Sequence, residues 1–326
     1  MKLKSLALLA VSFVYGAGVT LAHADIYPSK PITMIVPFAA GGPTDTVART
    51  VGQVMSKSLG QQIVIENVGG AGGTIGVGRA VIAPPDGYTI LLMHIGISTA
   101  PALYRNLKYD VTKDLEPIGL VTEVPMTMIA KKDLPPNGFK DFLAYLKANK
   151  EKVSYANAGV GSASHLCGML FMSAIGTDVL TVPYKGTAPA MTDLLGGQVD
   201  FMCDQTTNTT SQIKGEKVKV YGVTSKVRVA SLQNVPTLDE SGLKGFSIGV
   251  WHGVWTPKGT PKAINDKLVK ALQDALKDEN VKARFAELGT VPEPVSRQNP
   301  ESLRTHLAAE IGKWGPIIKK AGIYAD

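Results

Sequence analysis

Short apolar runs recur along this chain, and four of them end in a loop rich in glycine and small hydroxyl residues that leads into a helix-like stretch. That rhythm constrains the fold more than any other feature, because strands alternating with helices make α/β architecture. Ile32 to Val36 reads as a strand. Thr44 is placed to cap the following helix, with Asp45 in its first turn where a negative charge suits the dipole. That helix runs to Leu59 and Gly60 stops it. Strands at Ile63 to Glu66 and Thr89 to Met93 follow, separated by a helix from about Ile75 to Ala83 and the turn Pro84-Pro85-Asp86-Gly87.

After Asp110 the pattern changes to two extended segments, Ile118 to Glu123 and Met126 to Ala130, on either side of Pro125. Alternation then resumes. Helices are predicted from Phe139, from Ser162 and near Ala188 to Leu195, with strands at Val153 to Ala156, Leu180 to Val182, Val199 to Cys203 and Val218 to Val223. Gly249 to Val254 is again apolar, and the remainder is helical: Lys262 to Lys277, Val281 to Leu288 and Pro300 to Ala321. The expected organisation is two αβ domains, with the extended stretches near 118–130 and 247–255 crossing between them. A tail that returns to the first domain makes that domain discontinuous, residues 25–124 with 250–326, around a second domain of 125–249.

The first 24 residues read separately. Lys2 and Lys4 precede an apolar stretch from Leu6 to Leu21, and Ala22-His23-Ala24 fits the small-x-small cleavage rule of an export signal. A periplasmic or otherwise exported mature chain of 302 residues is expected. Without Lys2 and Lys4, 32 basic residues face 27 acidic ones, a net charge of +5. The basic residues are dispersed and lack an aromatic-interleaved stripe, which argues against a nucleic-acid partner. A weak positive field favours anionic ligands.

In an open α/β sheet, ligands bind beyond the carboxyl ends of the strands. Four loops there are rich in glycine and small hydroxyl residues. Phe38-Ala39-Ala40-Gly41-Gly42 precedes a helix N-terminus, where unpaired N–H groups favour an anion. Gly69-Gly70-Ala71-Gly72-Gly73-Thr74 does the same. It fits neither the dinucleotide fingerprint nor a P-loop. Asn157 to His165 contains Ser162 and Ser164, either of which can cap a helix, and Pro183 to Thr187 contains Lys185, which is either an anion partner or merely exposed. Asp204 follows a strand, where a carboxylate either binds a ligand amino or hydroxyl group or caps Thr206 or Thr207.

Catalytic and metal constellations are missing from the sequence. The histidines 94, 165, 252 and 306 show no metal-ligand spacing, and the Ser162 region is not a hydrolase elbow. No cofactor is expected, and no enzymatic activity. Cys167 and Cys203 lie in one domain of an exported chain; a disulfide between them is expected, with two buried thiols as the alternative.

Together these segments carry a resemblance. Tyr27-Pro28-Ser29-Lys30-Pro31-Ile32, Val36-Pro37-Phe38-Ala39-Ala40-Gly41-Gly42-Pro43-Thr44-Asp45, Ala83-Pro84-Pro85-Asp86-Gly87-Tyr88-Thr89, Gly161-Ser162-Ala163-Ser164-His165 and Asp193-Leu194-Leu195-Gly196-Gly197-Gln198-Val199-Asp200 resemble, in order and spacing, the Bug-type (TctC-like) extracytoplasmic solute receptors of tripartite tricarboxylate transporters. The resemblance implies a periplasmic-binding-protein-like (type II) α/β fold, with two αβ domains closing on a small carboxylate. It implies a monomer that delivers its ligand to membrane transporter subunits. The expected ligand-binding set is Phe38, Ala39, Ala40, Gly41, Gly72, Thr74, Ser98, Gly161, Ser162 and Asp204, with the loops from the first domain acting through backbone N–H groups. A ligand sensor for a membrane signalling partner, or a secreted hydrolase centred on Ser162 or His165, are the alternatives. The polar segment Phe201 to Asn208 departs from the family's pattern and leaves the distal half of the ligand open.

Overall fold

The strand that crosses the middle of the molecule is what organises it. In the computed structural model, which describes residues 27–325, β4 (Leu115–Lys131) runs as one 17-residue strand through Pro125. The two extended segments expected on either side of that proline are therefore continuous. Proline lacks a ladder donor, and here it sits where the strand changes partners. Up to Pro125 the strand pairs antiparallel with β9 (Gly249–Pro257); from Met126 on, the same stretch pairs antiparallel with both β7 (Phe201–Gln205) and β8 (Val218–Val223).

The first half of the sheet adds β1 (Ile32–Val36), β2 (Ile63–Asn67) and β3 (Thr89–His94), with β1 parallel to both β2 and β3 and β3 antiparallel to β9. The second half adds β5 (Ser154–Asn157), parallel to both β7 and β6 (Leu180–Pro183). The order is β2-β1-β3-β9-β4-β7-β5-β6, with β8 also on β4.

Helices follow the strands. α1 (Pro43–Leu59), α2 (Thr74–Val81) and α3 (Gly96–Leu103) belong to the first half; α4 (Phe139–Ala148), α5 (Ala163–Ile175), α6 (Thr187–Leu195) and α7 (Thr206–Lys214) to the second. The tail forms α8 (Lys262–Lys277), α9 (Glu279–Glu287) and α10 (Pro300–Ala321). α8 packs on α1, and α10 packs on α3 and β4. Leu268, Leu272 and Phe285 join Val47, Val51 and Met55 in a mainly aliphatic core under the first half. The second half is aromatic inside: Phe142 stacks on Tyr221 at 4.0 Å between ring centres and meets Phe201 edge-on at 5.3 Å.

Four local expectations change. Thr44 lies inside α1; Gly42 holds the cap position without a side-chain bond, and Pro43 takes the first helical position that its fixed φ suits. α3 was not legible, because Gly-Ile-Ser-Thr-Ala-Pro-Ala-Leu is short and carries Pro101 inside. α7 was hidden by four threonines in its first five residues, whose β-branched side chains have low helix propensity. It is held by hydroxyl bonds outward, Thr206 to Gly289 O and Thr210 to Leu288 O. The strand expected at Val199 to Cys203 sits two residues later, so Asp204 is within β7 and not beyond it. The expected export signal at residues 1–24 lies outside the described residues. Cys167 in α5 and Cys203 in β7 are joined in a disulfide.

Candidate functional site

Four helices begin at one pocket between the two halves of the sheet. The pocket is lined by Gly42, Pro43 and Thr44 at the start of α1, Ser162, Ala163 and Ser164 at the start of α5, Thr187 at the start of α6, and Gln205 at the cap of α7. First-turn N–H groups have no partner within their own helix, and the dipoles add positive potential. Four such ends converging from both halves favour an anion. No lysine or arginine lines the pocket.

Phe38 supplies an apolar wall and stacks against His94, with ring centres 4.5 Å apart. His94 is buried. Gly96 N donates to its Nδ1 at 3.0 Å, so the ring proton sits on Nε2. Burial pushes its pKa down to about 4, which keeps the ring a neutral donor. His252 lies opposite His94 in the β3–β9 register, its Nε2 3.4 Å from Thr44 Oγ1. Burial, with His94 beside it, holds His252 neutral as well.

The second half brings the acidic group. Asp204 is 1% exposed, and its carboxyl accepts from Gln205 N at 2.8 Å and Asn208 Nδ2 at 2.6 Å. Burial pushes its pKa up to about 7, against the pull of those donors. Thr187 Oγ1 lies toward Asp204 without making a bond of ordinary geometry, and Gln205 Oε1 is likewise unpartnered although both residues are buried. Ser162 Oγ caps α5 by accepting from His165 N and lies 3.1 Å from Ser164 Oγ, which accepts from Ala158 N.

Of the ten residues expected to hold a ligand, Phe38, Ser162 and Asp204 line this pocket. The others have different employment. Ala39 N donates to Lys185 O across the two halves, and Gly41 N donates to Asp45. Ala40 and Gly41 are exposed. Ser98 turns its hydroxyl back to Ile95 O, and Thr74 bonds Ala71 O on a separate groove. Gly161 receives Thr99 Oγ1 at its carbonyl, 3.1 Å away. Gly72, in left-handed backbone at φ +59, presses on Val160 so closely that a Cβ there collides with the Val160 carbonyl.

His94, Thr187 and Gln205 line the pocket but were not among the expected ligand residues. Each left a trace: His94 as the polar residue ending a largely apolar strand, Thr187 at the end of the Pro183 to Thr187 loop, and Gln205 within the polar segment Phe201 to Asn208. Lys185 is exposed, and His165 is held neutral by burial while accepting from Gly161 N. Among the described residues no group of three or more His, Cys, Asp or Glu is placed to hold a metal.

The halves touch through Ala39 N to Lys185 O (3.2 Å), Thr99 Oγ1 to Gly161 O (3.1 Å) and Tyr104 OH to Val160 O (2.9 Å). The enclosed cavity is about 10 Å³, space for a single water.

Comparison with known proteins places this geometry. A model described as the tripartite tricarboxylate transporter family receptor matches residues 47–323. A protein of Agrobacterium vitis, described as a UPF0065 protein in the TAR-I ttuE-ttuC' intergenic region, is 52% identical over 91% of this chain and 86% of its own. The solved structure of the periplasmic binding protein BugD is 55% identical over 91% of this chain and 99% of its own, with a TM-score of 0.89. MatC from Rhodopseudomonas palustris, solved with bound malate, is 39% identical over 90% of this chain and all of its own, with a TM-score of 0.86.

Proposed function

Because the chain belongs to the tripartite tricarboxylate transporter receptor family, we propose that it captures a small organic carboxylate in the pocket between its two halves and hands it to a membrane transporter of that type. The family is one of periplasmic solute-binding receptors, and its fold is the periplasmic-binding-protein-like α/β architecture described above.

The observation that carries the reading is the convergence of the N-termini of α1, α5, α6 and α7 on one pocket without a lysine or arginine. Backbone dipoles bind an anion there without the cost of burying an unpaired cation. Ser162 and Ser164 add hydroxyls, His94 adds a neutral Nε2–H, and Phe38 covers the ligand's carbon skeleton. The malate bound in MatC supports the same ligand class.

A cavity of about 10 Å³ is far below the ~300 Å³ or more of typical ligand pockets, so entry requires the halves to part. In our reading residues 25–124 with 250–326 form one lobe and 125–249 the other, hinged where β4 passes Pro125 and where the chain returns into β9. The molecule acts as a monomer, in the periplasm, after loss of residues 1–24.

The test is a thermal-shift screen of the mature protein against small carboxylates and their neutral amides. A bound acid at a hundredfold excess over its dissociation constant adds about 2.7 kcal/mol of stability. A shift with an acid and none with its amide is expected. Equal shifts with both sink the anion reading. So does the absence of any shift in protein that native mass spectrometry finds ligand-free.

A further inference from the structure

The pocket that favours an anion also holds two groups that repel one. Gln205 Oε1 is buried, unpartnered, and belongs to a residue lining the cavity. Asp204 beside it lines the same cavity. An ionised carboxyl accepts about four hydrogen bonds, and the protein supplies two, from Gln205 N and Asn208 Nδ2. Buried acceptors without donors cost free energy, and their cost is removed only when something brings a donor.

Among the described residues no cation lines the pocket beside them. Thr127 of β4 stands opposite Asp204 in the register, and Tyr155 of β5, a neutral phenol whose pKa burial pushes far up, feels the Asp204 charge. α6 contributes Thr187, α7 contributes Asn208, and across the pocket stands the neutral His94. The Thr187 hydroxyl is the one further donor that lies toward Asp204, and nothing among the described residues donates to Gln205 Oε1, so the remaining donors come from the ligand.

Building on the carboxylate reading, we propose that Asp204 and Gln205 form a specificity-determining pair that recognises an amino or hydroxyl group carried next to the ligand's carboxylate. The helix N-termini hold the acid; this pair reads the substituent. Sharing between an ammonium and a hydroxyl is chemical, since both donate to the same two oxygens.

Matched trios separate the possibilities: propionate, lactate and alanine; succinate, malate and aspartate; glutarate, 2-hydroxyglutarate and glutamate. Calorimetric titration of the mature protein is expected to rank a donor-bearing member about tenfold or more above its unsubstituted partner, the scale of a hydrogen bond to a charged group. Preference for the amino acid over the hydroxy acid identifies an ammonium, and the reverse a hydroxyl. That preference is expected to grow from about pH 6 to about pH 8, as Asp204 ionises around 7. Asp204→Asn is expected to erase the preference within each trio; Gln205→Met gives an independent partial loss if the first variant folds poorly. Equal affinity within every trio overturns the inference and leaves the carboxylate reading standing. Affinity that falls with pH for all members also overturns it, because Asp204 would then be donating its own proton to the ligand acid. Failure of every trio to bind overturns the carboxylate reading, and this inference with it.

Discussion

Beneath the wall that the first half presents to the pocket, the buried carboxylate is already fully engaged. Asp45, buried under the loop, accepts from Gly41 N, Arg49 Nε and Asn67 Nδ2, and Asn67 also ties to Phe38 O. Burial alone raises an acid, but these donors outweigh it and hold the Asp45 carboxyl below its ordinary range. In the facing wall, Asp204 shifts the other way, and Thr187 Oγ1 and Gln205 Oε1 have no partner. Two buried aspartates at the bases of helices thus do opposite things. One is a buttress that shapes a loop, and the other is left available. A satisfied wall is stiff and indifferent to ligand identity; an unsatisfied one discriminates, because only a matching ligand relieves its desolvation.

The halves also differ in covalent support, and removing it tests whether the discriminating wall depends on that staple. Cys167→Ser with Cys203→Ser opens a link across 36 residues. It is expected to cost about 4 kcal/mol by loop entropy, read by chemical denaturation of the second half's aromatic signal. A loss below 1 kcal/mol, on the same entropy argument, would make the staple dispensable.

Asp45→Ala attacks the stiff wall. Three donors lose their acceptor, and about 3 kcal/mol of stability is expected to go, with affinity reduced alike for every acid. In the parent protein the same contribution is present above the ordinary aspartate pKa of 3.8 and is lost as pH falls below it through the depressed folded value.

Gly72→Val tests closure. The added side chain meets the Val160 carbonyl of the opposite half. The open form folds, but closed-state affinity is expected to drop about a hundredfold, near 3 kcal/mol. Unchanged affinity in titration would remove this contact from the closed state.

Thr224→Val acts where the halves join. The Thr224 hydroxyl accepts from Met126 N at 3.0 Å and donates to Ile248 O at 2.6 Å, so it pins both chain crossings. About 2 kcal/mol is expected to be lost, measured by thermal melting, with scattering showing whether the mean opening changes.

The effect most specific to the discriminating wall is read as a pH slope. The native state holds the Asp204 proton more tightly than the unfolded chain, since its pKa is raised from 3.8 to about 7. Stability therefore falls as pH rises between those values, with a slope of at most about 1.4 kcal/mol per pH unit from this group. Asp204→Asn is expected to flatten that slope relative to the parent, and parallel stability curves would show that Asp204 titrates normally.

Much of the fold was legible. Strand β1 and helices α8 and α10 fall where apolar periodicity and the stops put them, and Gly60 ends α1 in left-handed backbone as its position demanded. The site was less so. Phe38, Ser162 and Asp204, which the sequence marks by their places near strand ends or at a helix cap, line the pocket. The loop Gly69 to Gly73 was expected to face a ligand; in the structure its Gly72 packs against Val160, and nothing local in a sequence says which surface a loop will meet.

What the sequence by itself determined is the set of local choices: apolar periodicity, glycine at turns, hydroxyls at helix starts, an asymmetric run of small residues after each strand. Those choices depend on neighbours a few residues away. What only the tertiary structure decided is how polar groups far apart in the chain are paired. Whether Gly41 N–H is free or spent depends on Asp45 turning back beneath it. Whether Gln205 and Thr187 remain unpartnered depends on helices brought together from separate βα units. Hydrogen-bond satisfaction is a property of the assembled space around an atom, and for this protein it is what separates the scaffold from the site.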